Sequence, residues 1–285
     1  MRGSRRYWEE RAAKALMLLS LGLVVGSLLV ILGVVAVKGF SALTWQMLTQ
    51  TPRGGYYLGK EGGILNAILG SLYLGAGATA LAFAVSLPVA LYLRVFAGPA
   101  SVPARAVRFA MDLLWGVPSI VYGALGFVVM VLLGLRASLG AAILTVSLFE
   151  LPILVRAMDE VLRMVPAEID EASYSVGATR SETAFRVVTR QALPGILTAV
   201  LLAFGRGIGD TASVLFTAGF TDRVPTSLCA PAATLPLAVF FQLGSPIPEV
   251  RNRAYAAAAV LTLIVFAVSL LGRGLARMAA RNVVR

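Results

Sequence analysis

Apolar residues fall in long blocks that charge does not interrupt. Ala15 to Val37 runs between Lys14 and Lys38 without a charge, and Leu113 to Leu135 runs between Asp112 and Arg136 in the same way. A helix needs about 20 apolar residues to cross roughly 30 Å of hydrocarbon, so each block is long enough. The pattern predicts six spans, at about 15–37, within 62–93, at 113–135, 137–155, 192–219 and 254–272. The second is longer than a crossing needs and carries Pro88, a candidate kink. Glu150 falls in the fourth, where it reads as a carboxylate near the inner helix end, and Arg206 and Asp210 fall in the fifth. The expected fold class is an all-α polytopic membrane protein with six transmembrane helices.

Charge placement orients these spans. With the N-terminus in the cytoplasm, seventeen Lys and Arg residues lie inside and seven outside, Arg206 being left over. The inner set includes Arg2, Arg5, Arg6, Arg11 and Lys14 at the start and Arg273, Arg277, Arg281 and Arg285 at the end; Lys60 is among the outer set. This bias predicts both termini in the cytoplasm. It also accounts for the net charge of +11 without nucleic acid as a partner. The basic N-terminus followed by an apolar run is too long for a signal peptide and has no A-x-A-like site, so it reads as a retained first span.

The composition removes chemistry. There is no histidine, hence no imidazole base or ligand, and the single Cys229 forbids an internal disulfide. Neither H-E-x-x-H nor G-x-S-x-G occurs, and Gly55 to Lys60 is not a phosphate-binding loop. No catalytic residue, metal site or cofactor is expected. Trp8, Trp45 and Trp115 lie near predicted interfaces and read as belt anchors.

Two long outer segments remain, 38–61 and 221–253; in the second, the apolar run Leu235 to Leu243 suggests a short re-entrant or interfacial piece. The inner loop 156–190 is more informative. Pro166 suits a first helical turn, Glu168, Asp170 and Glu171 suit its positive end, and Gly177 suits its stop. Thr179-Arg180-Ser181-Glu182 then matches a capping box. Helix, glycine corner, helix makes a rigid charged knob; it reads equally as a solvated connection or as a docking element.

Glu171-Ala172-Ser173 followed after three residues by Gly177 resembles the EAA loop of ABC importer permeases. Val187 stands where that pattern has isoleucine, while Thr189-Arg190 departs from its Leu-Pro, which occurs later as Leu193-Pro194. Gly116-Val117-Pro118-Ser119-Ile120-Val121-Tyr122-Gly123 resembles the third-span motif of the phosphate importer permeases, as do Gly62-Gly63-Ile64 and Gly70-Ser71 before the second span. Gly205-Arg206-Gly207-Ile208-Gly209-Asp210-Thr211-Ala212 resembles their R-A-x-G-E-T-A motif, with Asp210 in place of glutamate and Gly207 in place of alanine.

The resemblance covers Gly62 to the end and is nearest to the A-type subunit. It implies a type I (MetI-like) ABC importer permease core at 62–285, preceded by an N-terminal segment, first span and outer loop at 1–61. It implies coupling to ATPase subunits through Glu171, Ala172, Ser173, Gly177 and Glu182, and a pore and packing motif at Pro118, Ser119, Tyr122, Gly205 and Gly209. It implies a second homologous permease subunit, an extracytoplasmic phosphate-binding protein, and phosphate as the substrate moved across a bacterial cytoplasmic membrane. Other oxyanions (sulfate, molybdate, phosphonate) fit the same core. A self-contained transporter or channel predicts an inverted repeat of broken spans, which the sequence does not display, and leaves the charged knob unexplained.

Arg206 and Asp210, four apart, are expected to share a helix face. Arg206 lies sixteen residues past Arg190, about 24 Å along a helix. A charge there costs at least about 2.5–3.5 kcal/mol and should face a bundle interior or wet cavity. One reading is an internal ion pair fixing packing, with Gly205 and Gly209 admitting a neighbouring backbone. The other is an anion path on which Arg206 meets phosphate, Asp210 orients it and limits its grip, and Thr211 lines the way.

Overall fold

A computed structural model of the chain describes residues 2–55, 61–97 and 101–279, with only the backbone given for 2–6. Lys60, Arg281 and Arg285, counted above in the charge bias, lie outside the described residues. The helices are α1 (Tyr7–Ala42), α2 (Trp45–Thr49), α3 (Leu65–Phe96), α4 (Val102–Trp115), α5 (Ser119–Leu132), α6 (Leu139–Arg163), α7 (Ala167–Ser175), α8 (Arg180–Gly209), α9 (Leu235–Gln242) and α10 (Pro248–Ala279). No strand occurs among the described residues; one isolated bridge joins Arg53 to Glu61. Five helices are long and apolar enough to cross a membrane, and α4 with α5, bent by 96°, makes a sixth crossing if counted as one.

The centre is α3 laid along α6. The buried face of α3 is made of small side chains: Ala67, Gly70, Ser71, Gly75, Ala78, Thr79, Ala82, Ser86 and Ala90. Lipid tails are as apolar as leucine, so small residues that let backbones approach are what holds such helices together. At Gly70 a Cβ would overlap the Ala233 carbonyl oxygen. Toward α7, Leu91, Leu154, Met158, Leu162, Ala184 and Val188 form one cluster joining α3, α6 and α8. Toward α9, Leu74, Val146, Val214, Ala232 and Leu237 form another. The apolar run from Leu235 is α9, a short helix capped by the Thr234 side chain and buried at Leu235, Leu237 and Ala238.

Four expectations change. The run 113–135 is not a straight span: Trp115 ends α4 and Ser119 begins α5, with Gly116-Val117-Pro118 as the elbow. Proline lacks the N–H that would continue the ladder and pushes the residue before it out of helical space. The fourth span runs on to Arg163, so Glu150 is not near a helix end. The fifth span stops at Gly209 and not at 219. The second helix of the knob is no separate piece; Arg180 starts α8, which passes through a π-helical stretch at Thr183–Val188 and past Pro194 into the membrane.

Candidate anion path and coupling turn

The site is built on the C-terminal end of α8. Arg206 is in its last turn, and Asp210 follows with extended backbone (φ −77°, ψ 126°). Asp210 therefore leaves the helix face that carries Arg206. Its Oδ2 instead accepts a hydrogen bond from the Ser213 backbone N–H at 2.8 Å, holding the turn that begins at half-buried Thr211. Among the described residues no ion pair joins Arg206 to Asp210, which corrects the expected pair. The guanidinium lies over the Phe149 ring, 4.9 Å from its centroid, and the residue is exposed. A ring face attracts a cation without neutralising it, so the charge of Arg206 stays available.

Phe149 is itself fixed. Tyr122 meets it edge-on at 5.8 Å between centroids, and the Tyr122 hydroxyl donates to the Leu114 carbonyl at 2.9 Å, across the elbow. Pro118 and Ser119 shape that elbow. Beyond it Gly123 touches the stretch after Asp210, since a Cβ there would stand 2.7 Å from the Ala212 carbonyl oxygen. Elbow, Tyr122, Phe149 and Arg206 thus form one connected stack.

The residue after Phe149 meets the residue after Arg206. Glu150 is fully buried; its Oε1 accepts from Thr79 Oγ1 at 3.3 Å and lies against the Cα of Gly207, where a Cβ would overlap it. Its Oε2 is buried without a hydrogen-bond partner. Only glycine at 207 permits this approach. Gly205 and Gly209 behave differently: a Cβ at either meets nothing within 4 Å, so no neighbouring backbone of this chain uses that G-x-x-x-G.

The other end of α8 carries the candidate coupling turn. Gly177 has φ +86°, the left-handed conformation that ends α7. Thr179 and Glu182 complete both halves of the capping box, and the Thr179 backbone N–H and hydroxyl, with Arg186 nearby, hold the Glu182 carboxyl below the usual carboxylate range. Ser173 is buried and its hydroxyl meets that of Thr183 at 2.9 Å, locking α7 to α8. Glu171, Ala172 and Glu182 face outward. So do large apolar side chains: Val176 is 84% and Met164 78% exposed. Among the described residues no group of acidic, cysteine or histidine side chains could hold a metal ion.

Sequence reasoning missed Phe149, Thr79, Arg94, Arg108 and Asp159. Phe149 and Thr79 have no local signal, since each becomes relevant only through a contact between helices. Asp159 had one: Arg156 and Arg163 stand three before and four after it, and both reach it, at 3.9 and 3.0 Å. Arg108 from α4 binds the same carboxylate through Nε at 2.9 Å and Nη2 at 3.1 Å.

Comparison with known proteins gives the family and the fold. A family model described as "Binding-protein-dependent transport system inner membrane component" matches residues 86–285, beginning later than the resemblance read from Gly62. "Phosphate transport system permease protein PstA" of Mycobacterium leprae is 34% identical over 255 residues, covering 88% of this chain and 83% of that protein. The protein of the same name in Haemophilus influenzae is 32% identical over 273 residues, covering 94% and 95%. The MetNI methionine ABC transporter, solved in an inward-facing conformation, shares the fold with TM-score 0.62 at 20% identity, over 76% of this chain and 95% of that one. A family model over residues 86–285 and relatives spanning nearly the whole sequence agree: the chain belongs to the binding-protein-dependent inner-membrane transport components, as a member of their PstA group.

Proposed function

We propose that this chain is a membrane-spanning permease subunit of an ATP-driven importer that moves inorganic phosphate across the bacterial cytoplasmic membrane. The observation that carries this reading is α8. One continuous helix of 30 residues, about 45 Å long, has the coupling turn at its start and Arg206 at its end. The PstA relatives supply the substrate class.

In this reading ATPase subunits grip the turn at Glu171, Ala172, Gly177 and Glu182, with Val176 and Met164 as apolar contacts, while buried Ser173 holds the turn to α8. ATP closes those subunits, the turn moves, and α8 carries the displacement to Arg206. The guanidinium leaves or regains the Phe149 face as access alternates between the two sides. Its fork of donors matches phosphate oxygens in shape as well as charge. The ring offers a weak alternative partner, so phosphate is held and then released, as conduction requires. Asp210 acts by shaping the turn from Thr211 onward. Hydrolysis belongs to the ATPase subunits, delivery to an extracytoplasmic phosphate-binding protein, and the other half of the path to a second, homologous permease subunit. Residues 62–285 serve as the permease core, 1–61 as an added anchor, and both termini are cytoplasmic.

The test is Arg206→Gln. Phosphate uptake falls to background while the amount of membrane-inserted chain and of co-purified ATPase stays unchanged. Normal uptake in that variant removes Arg206 from the path. Stimulation of the assembled ATPase by phosphate-loaded binding protein, and not by sulfate- or molybdate-loaded protein, fixes the anion.

A further inference from the structure

Arg94 sits in the π-helical last stretch of α3 (Tyr92–Phe96), far in sequence from the coupling turn. All parts of its guanidinium are used. Nε donates to the Leu162 carbonyl and Nη2 to the Val165 carbonyl, each at 3.1 Å. Nη1 pairs with Asp170 Oδ2 at 3.0 Å. Leu162 and Val165 are at the C-terminal end of α6, where backbone oxygens lack the usual partner four residues on. Asp170 is in the first turn of α7, directly before Glu171. The two side chains are 18% and 13% exposed, so water screens the pair less than it would on an open surface.

The neighbouring geometry stiffens this joint. Arg108, already bound to Asp159 of α6, also donates through Nη2 to the Leu93 carbonyl at 3.1 Å. The turn that presents Arg94 is thereby tied to α4 and α6 from its other side. The coupling helix α7 then has two polar attachments among those described: Ser173 with Thr183 leads to α8, and Asp170 with Arg94 leads to α3 and α6. Ile169 adds an apolar contact with the cluster that joins α3, α6 and α8.

We infer that Arg94 is a positioning residue that delivers movement of the coupling helix to the inner ends of α3 and α6 together, so that these spans and α8 move as one. This rests on the reading of α7 as the ATPase-docking element. The bidentate hold on the α6 end keeps the guanidinium aimed, and the Asp170 bond passes the force. Loss of either leaves α7 joined to α3 and α6 only by the short link 164–166 and the Ile169 contact, a looser joint, and ATP is then hydrolysed with little transport.

The experiment uses the whole transporter, with its ATPase and second permease subunits, reconstituted in proteoliposomes with phosphate-loaded binding protein. Phosphate accumulated per ATP hydrolysed is compared for wild type, Arg94→Gln, Arg94→Lys and Asp170→Asn. The expected result is ATP hydrolysis near the wild-type rate, with phosphate moved per ATP lowered at least about fivefold in Arg94→Gln and Asp170→Asn. Arg94→Lys, which keeps the charge and loses the fork, falls between. A purely structural loss lowers assembled complex, hydrolysis and transport in proportion and leaves the ratio alone. An unchanged ratio in Asp170→Asn overturns the inference, and this variant also decides the matter where Arg94→Gln fails to assemble. Failure of any ATPase to co-purify with the wild-type chain overturns the docking reading instead.

Discussion

At the scale of single residues the site is a pair of consecutive contacts: Phe149 with Arg206, and Glu150 with Gly207. Phe149→Leu keeps the volume apolar and removes the ring face. A cation–π contact contributes about 0.5–2 kcal/mol, and without that competing partner Arg206 holds phosphate more tightly, so the phosphate KM should fall by roughly 2- to 30-fold, measured as initial uptake rates in membrane vesicles. Gly207→Ala drives a methyl group into the Glu150 carboxyl. Overpacking of this kind costs about 1–3 kcal/mol, visible as a lower melting temperature in detergent, and Glu150→Ala in the same chain should restore much of it by vacating the space. An unaltered melting temperature in Gly207→Ala would show that the carboxyl moves aside freely. Sequence pointed to Arg206 because a charge in an apolar run is costly, and to Asp210 because a spacing of four shares a helical face. The spacing argument failed because α8 ends between them. The signal was there: Gly209 followed by an aspartate three residues ahead of Ser213 is a helix stop and a new turn, not more helix.

At the scale of elements, the spans were legible wherever charge stopped abruptly, and boundaries blurred where an amphipathic helix ran out of the apolar block. Thus α6 continues through Arg156, Asp159 and Arg163, whose charges sit in an ion cluster with Arg108 and not in a loop. The elbow was hidden because both of its arms are apolar near the bend, although Gly116 and Pro118 marked it. Tyr122→Phe removes the bond to Leu114 across that elbow. A net loss of about 1 kcal/mol follows, read as increased protease sensitivity near Gly116 in detergent. The coupling turn was the most legible element, since caps and a left-handed glycine are local chemistry. Glu182 there has a lowered pKa, so its contribution is full above the ordinary carboxylate range and is lost as pH falls through the lowered value. Amide exchange at Glu182 and Thr183, corrected for intrinsic rates, should accelerate on acidification through that range. Glu182→Gln should show a much smaller pH dependence.

At the scale of the whole molecule, α1 stands apart. None of its most apolar window is buried within the chain. It is pinned to α10 near its C-terminal end, where a Cβ at Gly39 would stand 2.6 Å from that of Ala259 and Lys38 Nζ lies 3.4 Å from the Tyr255 hydroxyl. Composition foretold a chain needing an apolar medium; it gave no sign that one span would have so few partners of its own. Tyr255→Ala should therefore loosen α1 alone, leaving uptake intact and exposing the Phe40 to Leu43 stretch to proteolysis. The elbow has a different reach. α5 has 14 residues, about 21 Å, while α4 turns off it at 96° with Val102, Phe109 and Leu113 exposed. If α5 crosses, α4 lies along the plane of the bilayer, its Arg108 held to Asp159 of α6 and its apolar side toward acyl chains. A short crossing helix joined to such a float makes the angle beneath Phe149 answer to bilayer thickness. Reconstitution in lipids of increasing acyl-chain length should slow transport without slowing ATP hydrolysis to match, so that the lipid itself sets part of the exchange rate between fuel and cargo.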